Sequence, residues 1–332
     1  MVLMISKGIG HPVTSWLGQD RYGDEVLPTL TIIFRTSGCA WNRCLMCSYR
    51  HERYGPGVSS GSYEDYLLSQ LTEVLDRYRP DQYRMVKIFT SGSFFDSREV
   101  PAPVLTRIAR AFRGMIVIAE TRPEFVQEGP LTSFLAEADD GTHERPLYCA
   151  IGLETASDTI REKCIRKGFT FRDFTDACSR GRNAGAGIKA YLLHKPLFLT
   201  EREALDDMRS SVRIASRYAD LISMNPCTVQ ARTGLEKFWK QRAYRPPYLW
   251  SVLAILRDAP IHCTCDPVGG GRIRGPHNCG NCDKEIVAGI RDYSLTGDRE
   301  LVASLLEAEC ACREEWEYVL SSEMPFAMPL TR

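Results

Sequence analysis

At 332 residues, with 44% hydrophobic and 25% charged side chains, the chain has the composition of an ordinary globular protein that can bury one large core, or a core plus a smaller appendage. Its 42 basic residues balance 42 acidic ones, which argues against a protein coated with nucleic acid but leaves room for a local basic face. No apolar run approaches the roughly 18 residues of a membrane span, and the first residues, from Met1 to Trp16, carry no continuous apolar segment, so the cytoplasm is the expected compartment.

Residues 1–28 read as an N-terminal extension. The first expected strand is Thr29 to Arg35, short, β-branched and followed at once by a cysteine-bearing loop. Ser62, with Asp65 three residues on, is placed to cap a helix whose apolar residues share one face, and Pro80 ends it. Strand two is expected at Met85 to Thr90, strand three at Met115 to Glu120, and between them a helix carries Val104, Ile108 and Phe112. Strand four at Leu147 to Leu153, strand five at Ile188 to Leu193 and a short strand six at Leu221 to Asn225 continue the alternation. Alternating strands and helices build a parallel sheet covered by helices. Six units are too few to close an eight-stranded barrel, so the expected fold is α/β, a partial (β/α)6 barrel over residues 29–260, with chemistry at the C-terminal ends of its strands. From Ile261 the alternation stops. Residues 261–332 are expected to be a Cys-rich metal-binding extension followed by helices.

Thirteen cysteines need a reason in a cytoplasmic chain, where structural disulfides are rare. Cys149, Cys164, Cys178 and Cys227 are scattered, as buried packing residues are. The others cluster. In GCAWNRCLMCSY, four residues separate Cys39 from Cys44 and two separate Cys44 from Cys47, a loop compact enough to converge three soft thiolates. A plant-type ferredoxin uses the same spacing but needs a fourth, distant cysteine, and none follows before Cys149; zinc would need a fourth ligand, for which His51 is nearest. Three thiolates on a cubane cluster leave one iron open to a cofactor or substrate.

Downstream, Cys263-x-Cys265 and Cys279-x2-Cys282 bracket a Gly- and Arg-rich loop and read as a tetrahedral zinc site, with an auxiliary iron–sulfur cluster as the rival. Cys310 and Cys312 are candidates to join either metal, but taken as helical they would point to different faces, so packing is the expected role.

The cysteine loop and the motifs at successive strand ends resemble the radical-SAM superfamily. The resemblance implies a [4Fe–4S] cluster on Cys39, Cys44 and Cys47, with S-adenosylmethionine (SAM) on the open iron. The Thr90-Ser91-Gly92-Ser93 turn matches the segment that meets the SAM amino group, departing from the usual two glycines and glutamate. ETRPE, with Glu120 and Arg122, is similar to a stretch of the Elongator-type branch; a guanidinium fork suits the SAM carboxylate. GLETASD, with Glu154, resembles the segment contacting the ribose or methionyl part. More narrowly, NPCTVQARTGLEKFW, YRPPYLW and DPVGGGRIRGPHNCGNCD resemble the archaeosine-forming radical-SAM family, RaSEA. That resemblance implies a tRNA substrate, a separate lysine-transferring archaeosine synthase partner, a reductant for the cluster, and cleavage of a lysine carbon–nitrogen bond on the preQ0 base. Two basic groups suit tRNA: Arg272, Arg274 and His277, and Lys237, Lys240, Arg242 and Arg245 beside Trp239 and Tyr244. The readings kept alongside are a radical-SAM enzyme of small-molecule or protein substrates with a purely structural metal loop, and a solvated face in place of the tRNA surface.

Overall fold

The structure, a computed structural model, describes residues 11–55 and 62–324. Its eight strands form one sheet in the order of the chain: β1 (Thr14–Tyr22), β2 (Glu25–Ile33), β3 (Met85–Phe89), β4 (Ile116–Thr121), β5 (Leu147–Glu154), β6 (Gly187–His194), β7 (Leu221–Pro226) and β8 (Cys263–Cys265). The six expected strands are β2 to β7, and the fold is the α/β partial barrel that their alternation implies. β2–β3, β3–β4, β6–β7 and β7–β8 pair in parallel. Strand β5 is buried along its whole length.

Two strands were not expected. β1 pairs antiparallel with β2 through a two-residue turn that Gly23 begins at φ 59°, so the barrel part starts with a hairpin. Its sequence, TSWLGQDRY, carries mostly exposed side chains and gives almost no apolar alternation to read. β8 is three residues long and adds the Cys263-Thr264-Cys265 segment to the edge of the sheet.

The helices are α1 (Tyr63–Arg77), α2 (Ala102–Ala111), α3 (Glu128–Ala138), the single turn α4 (Asp158–Ile160), α5 (Phe171–Asn183), α6 (Glu201–Ala215), α7 (Gly234–Lys240), α8 (Leu249–Asp258), α9 (Asp283–Thr296), α10 (Arg299–Glu307) and α11 (Cys312–Ser322). Ser62 and Asp65 form a reciprocal capping box on α1, and its buried face is Tyr66, Leu67, Gln70, Leu71 and Val74. Thr200 and Glu203 cap α6 in the same way. Helix α8 is the exception to amphipathicity, buried from Leu249 to Leu256. The chain divides into two compact units: the described residues of Met1–Asn42, Tyr49–Ala150 and Ser179–Gly187, and those of Arg43–Ser48, Ile151–Cys178 and Ile188–Arg332.

Candidate active site

In the first unit, the chain leaves β2 and turns through Gly38, at φ 97°, into Cys39. The turn after β3 packs directly on that cysteine. A Cβ placed on Gly92 would lie 2.5 Å from Cys39 Cα, 2.9 Å from Cys39 Cβ and 2.5 Å from Glu99 Oε2. Only glycine fits so close an approach of two backbones. Glu99 is 1% exposed and was not anticipated. It accepts hydrogen bonds from the Thr36 hydroxyl and, at 2.6 Å, from the Ser93 amide. Burial raises its pKa against the opposing pull of these donors. The Ser91 amide in turn donates to Thr36 Oγ1 at 3.4 Å.

The next strand end joins the same group. The Phe94 amide donates to the Glu120 carbonyl at 2.9 Å, and the Arg122 amide donates to Ser93 Oγ at 3.1 Å. The Arg122 guanidinium is 5% exposed; it donates to Glu124 at 2.5 Å and stands 5.5 Å over the ring of Trp41, a residue of the cysteine loop. Thus Ser91, Gly92, Ser93, Glu120 and Arg122 assemble around Cys39 and Trp41, with Glu99 beneath them.

In the second unit, the segment Arg43–Ser48 is held through its backbone. The Leu45 amide donates to the Ile165 carbonyl at 3.0 Å, and the Leu45 carbonyl accepts from the Leu235 amide at 3.1 Å, at the start of α7. Leu45 and Met46 pack against an apolar cluster that includes Leu197, Val229 and Leu235. The middle of the loop is thereby fixed without using its sulfurs. Cys44 is buried, and Cys39 and Cys47 are half-buried. Cysteine sulfurs are soft donors of the kind an iron–sulfur cluster takes.

Strand β5 ends in the same unit at Glu154, whose φ of 66° lies in the left-handed region. Its carboxylate pairs with Lys167 Nζ at 2.6 Å. The turn behind it is built on Arg161, fully buried, which donates to the carbonyls of Leu153 (3.1 Å) and Thr155 and pairs with Asp158. Thr155 donates to Asp207 at 2.7 Å; burial pushes the Asp207 carboxyl up to about 6, against the lowering effect of its bonds to Thr155 and Ser211. Glu154 is therefore a positioned carboxylate. Lys167, Arg161 and Asp207 escaped the sequence reading, Asp207 because it comes from a distant segment.

The C-terminal cysteines regroup. Cys279 and Cys282 come together with Cys310 and Cys312, all four sulfurs within 4.8 Å of one another. Cys263 and Cys265, expected as their partners, are not in this group, which corrects the expected ligand set. Both lie on β8 with their thiols in the core, 0% and 2% exposed; burial pushes Cys263 up to about 12 and holds Cys265 well above its ordinary value. Two residues apart on a strand, they face the same side, and that side is the interior. The assignment of Cys310 and Cys312 to packing fails for a local reason: α11 begins at Cys312, which leaves Cys310 in the preceding turn and their sulfurs 3.4 Å apart.

No profile of a known protein family matches the chain. Individual relatives do. The archaeosine synthase subunit beta of Methanosarcina acetivorans is 40% identical over 325 residues, 94% of this chain and 91% of that protein. The chain belongs to the archaeosine synthase subunit beta family. A second relative of that name, from Thermococcus kodakarensis, is 34% identical over 93% of this chain and 97% of that protein. Methylornithine synthase (PylB) shares the fold, with a TM-score of 0.51 at 14% identity over 72% of this chain and 64% of that one. The archaeosine family read from the motifs is the family these relatives show. As in the sequence, the described residues of this family member contain no helix long and apolar enough to cross a membrane.

Proposed function

We propose that this chain is a radical-SAM lyase of tRNA modification that cleaves a carbon–nitrogen bond of lysine-modified preQ0 to leave archaeosine. It acts after a lysine-transferring partner and draws electrons from a separate reductant. The observation that carries the reading is the 40% identity, across 94% of the chain, to a protein named as one subunit of archaeosine synthase. Cys39, Cys44 and Cys47 would hold the [4Fe–4S] cluster, and Ser91, Gly92, Ser93, Glu120, Arg122 and Glu154 would meet SAM. When bound, the cluster and SAM supply a reductively generated 5′-deoxyadenosyl radical able to abstract hydrogen from an unactivated carbon.

The side chains of this protein have the complementary task, since a primary carbon radical reacts with whatever carbon it meets. Gly92 lets the β3 turn lie against Cys39, so the cofactor-facing amides and the first ligand share one rigid frame. Arg122, stacked on Trp41, offers a fixed planar cation for a carboxylate. Glu154, held by Lys167, offers a fixed acceptor for an ammonium or hydroxyl.

For the RNA, the second unit has a cavity of about 650 Å³ lined by Lys195, Trp239, Arg242, Arg245, Ile273 and His277 among others. Not all of the basic residues around it can bind phosphate. Arg274 donates to the Val229 carbonyl at 3.0 Å and to Glu236 at 2.9 Å, and it lies 4.7 Å over Trp239. Lys240 also pairs with Glu236, and Arg245 donates to the His277 carbonyl. Arg274 and Arg245 hold the loop; the exposed Arg272, Lys237, Lys240 and Arg242 are the residues that meet phosphate.

The test is anaerobic incubation of cluster-reconstituted protein with SAM, dithionite and tRNA bearing the lysine adduct. Archaeosine should form together with 5′-deoxyadenosine, and tRNA bearing unmodified preQ0 should give no archaeosine. Cleavage of SAM with the lysine adduct left intact would overturn the substrate assignment.

A further inference from the structure

The C-terminal cysteine quartet requires an occupant that packing does not supply. Its four sulfurs come from two close pairs, Cys279 and Cys282 just before α9, and Cys310 and Cys312 at the start of α11. Cys279 and Cys310 are 3.6 Å apart, Cys282 and Cys312 3.6 Å, and Cys310 and Cys312 3.4 Å, with every pair within 4.8 Å. A tetrahedral zinc with bonds of about 2.3 Å places its sulfurs about 3.8 Å from one another. A cubane cluster needs its four thiolates on four separate irons and spreads them further. The spacing here is that of one ion.

The surroundings are those of thiolate ligands. Trp250 Nε1 donates to Cys312 Sγ at 3.3 Å, and Asn278 Nδ2 donates to Cys282 Sγ at 3.4 Å. The Cys279 sulfur accepts backbone hydrogen bonds from Asn281 and Cys282. Donors aimed at sulfur are what an anionic metal-bound thiolate takes, and they orient it for the metal. The turn itself is preformed: Asp283 accepts from the Asn278 amide at 2.9 Å and the Gly280 amide at 2.8 Å.

We propose that Cys279, Cys282, Cys310 and Cys312 bind a single zinc ion in a closed, four-thiolate structural site. The ion joins α11 to the turn before α9. The same turn follows the Gly-rich loop of Ile273, Arg274 and His277, so the ion also anchors that loop's C-terminal end. With four protein ligands no coordination position remains for chemistry. The inference does not depend on the tRNA substrate, because metal content and thiol protection are read without turnover.

The full-length protein, purified from zinc-replete medium, should carry about one zinc per chain in addition to cluster iron. Cys263→Ala and Cys265→Ala should retain it; Cys310→Ala and Cys312→Ala should lose it. In unmutated protein, native alkylation followed by mass mapping should find Cys279 and Cys310 protected, and stripping the zinc with a chelator should make both react. This second measurement stands even if the Cys310 and Cys312 variants fail to fold. Absence of zinc, iron and sulfide in its place, loss of zinc in the Cys263 or Cys265 variants with retention in the other two, or alkylation of Cys279 and Cys310 that is the same before and after chelation would each overturn the proposal.

Discussion

The two cysteine regions place the same ligand chemistry in contrasting backbone settings. Cys39, Cys44 and Cys47 lie within one short loop: Gly92 packs closely on Cys39, and Leu45, between Cys44 and Cys47, is bonded through its backbone. Cys279, Cys282, Cys310 and Cys312 come from two segments separated by α9 and α10, and their sulfurs converge within 4.8 Å. In the first region the backbone holds the loop, and under the proposed function three ligands would leave a valence for a cofactor. In the second, a metal would hold the fold and four ligands leave none. Ligand count and the source of rigidity together separate a reactive site from a structural one.

The largest effect that sharpens this contrast is loss of a cluster ligand. Cys44→Ala should reduce 5′-deoxyadenosine formation to background in an anaerobic assay, while the protein stays folded by circular dichroism. Stripping the zinc should do the reverse to the fold, lowering Tm by about 5 °C, as expected for loss of a ligand present far above its dissociation constant. A Cys44→Ala protein that still cleaves SAM, or a chelated protein with unchanged Tm, would break the comparison.

Next in size is the contact that stiffens the reactive loop. Gly92→Ala would drive a methyl into the Cys39 backbone and the Glu99 carboxylate. Overpacking of this kind costs about 1–3 kcal/mol. The expected result is a drop of about tenfold in SAM cleavage, that is, about 1.4 kcal/mol, with reduced iron per chain. Normal iron content and activity would show that the loop does not depend on this packing.

Two buried groups near the strand ends give opposite pH signatures. Burial pushes His194 down from its ordinary 6.5 to about 4, so the unfolded chain takes up the proton first and stability is lost as pH falls from about 6.5 to about 4. Asp207 is raised from 3.8 to about 6, so the folded chain takes up the proton first and stability is gained over that window as pH falls. Between pH 7 and pH 5 these amount to a loss of ~2 kcal/mol and a gain of ~1 kcal/mol. In urea unfolding, His194→Leu should therefore lose less stability than the wild type on acidification to pH 5, and Asp207→Asn should lose more. The same change in both variants would refute the assignment.

The smallest effect concerns the loop between the cysteine pairs. Arg272→Ala should weaken tRNA binding with a shallower salt dependence, by about one unit of slope or less, and should leave Tm unchanged. Arg274→Ala should instead lower Tm, because its guanidinium holds Glu236 and the Val229 carbonyl. Exchange of these two phenotypes would assign the phosphate contact to Arg274.

Local pattern accounts for what the sequence determined by itself. Strand–helix alternation, the Ser62–Asp65 cap, the three cysteines after β2 and the motifs at the ends of β3, β4 and β5 are all written in residues close together in the chain. Short separations restrict geometry enough that spacing predicts proximity, so the partial barrel was legible. What only the tertiary structure decided depends on long-range packing. Hairpin strand β1 has too few buried side chains to betray itself. Glu99 on Thr36, Lys167 on Glu154 and Asp207 on Thr155 are paired by the fold and not by any sequence pattern. The C-terminal ligand set shows the limit most clearly. Cys263 and Cys265 are nearer in sequence to Cys279 and Cys282 than Cys310 and Cys312 are, but β8 turns their thiols into the core. It is the return of the chain through α9 and α10 that carries Cys310 and Cys312 to the turn, since convergence of sulfurs is set by where elements pack and not by how many residues lie between them.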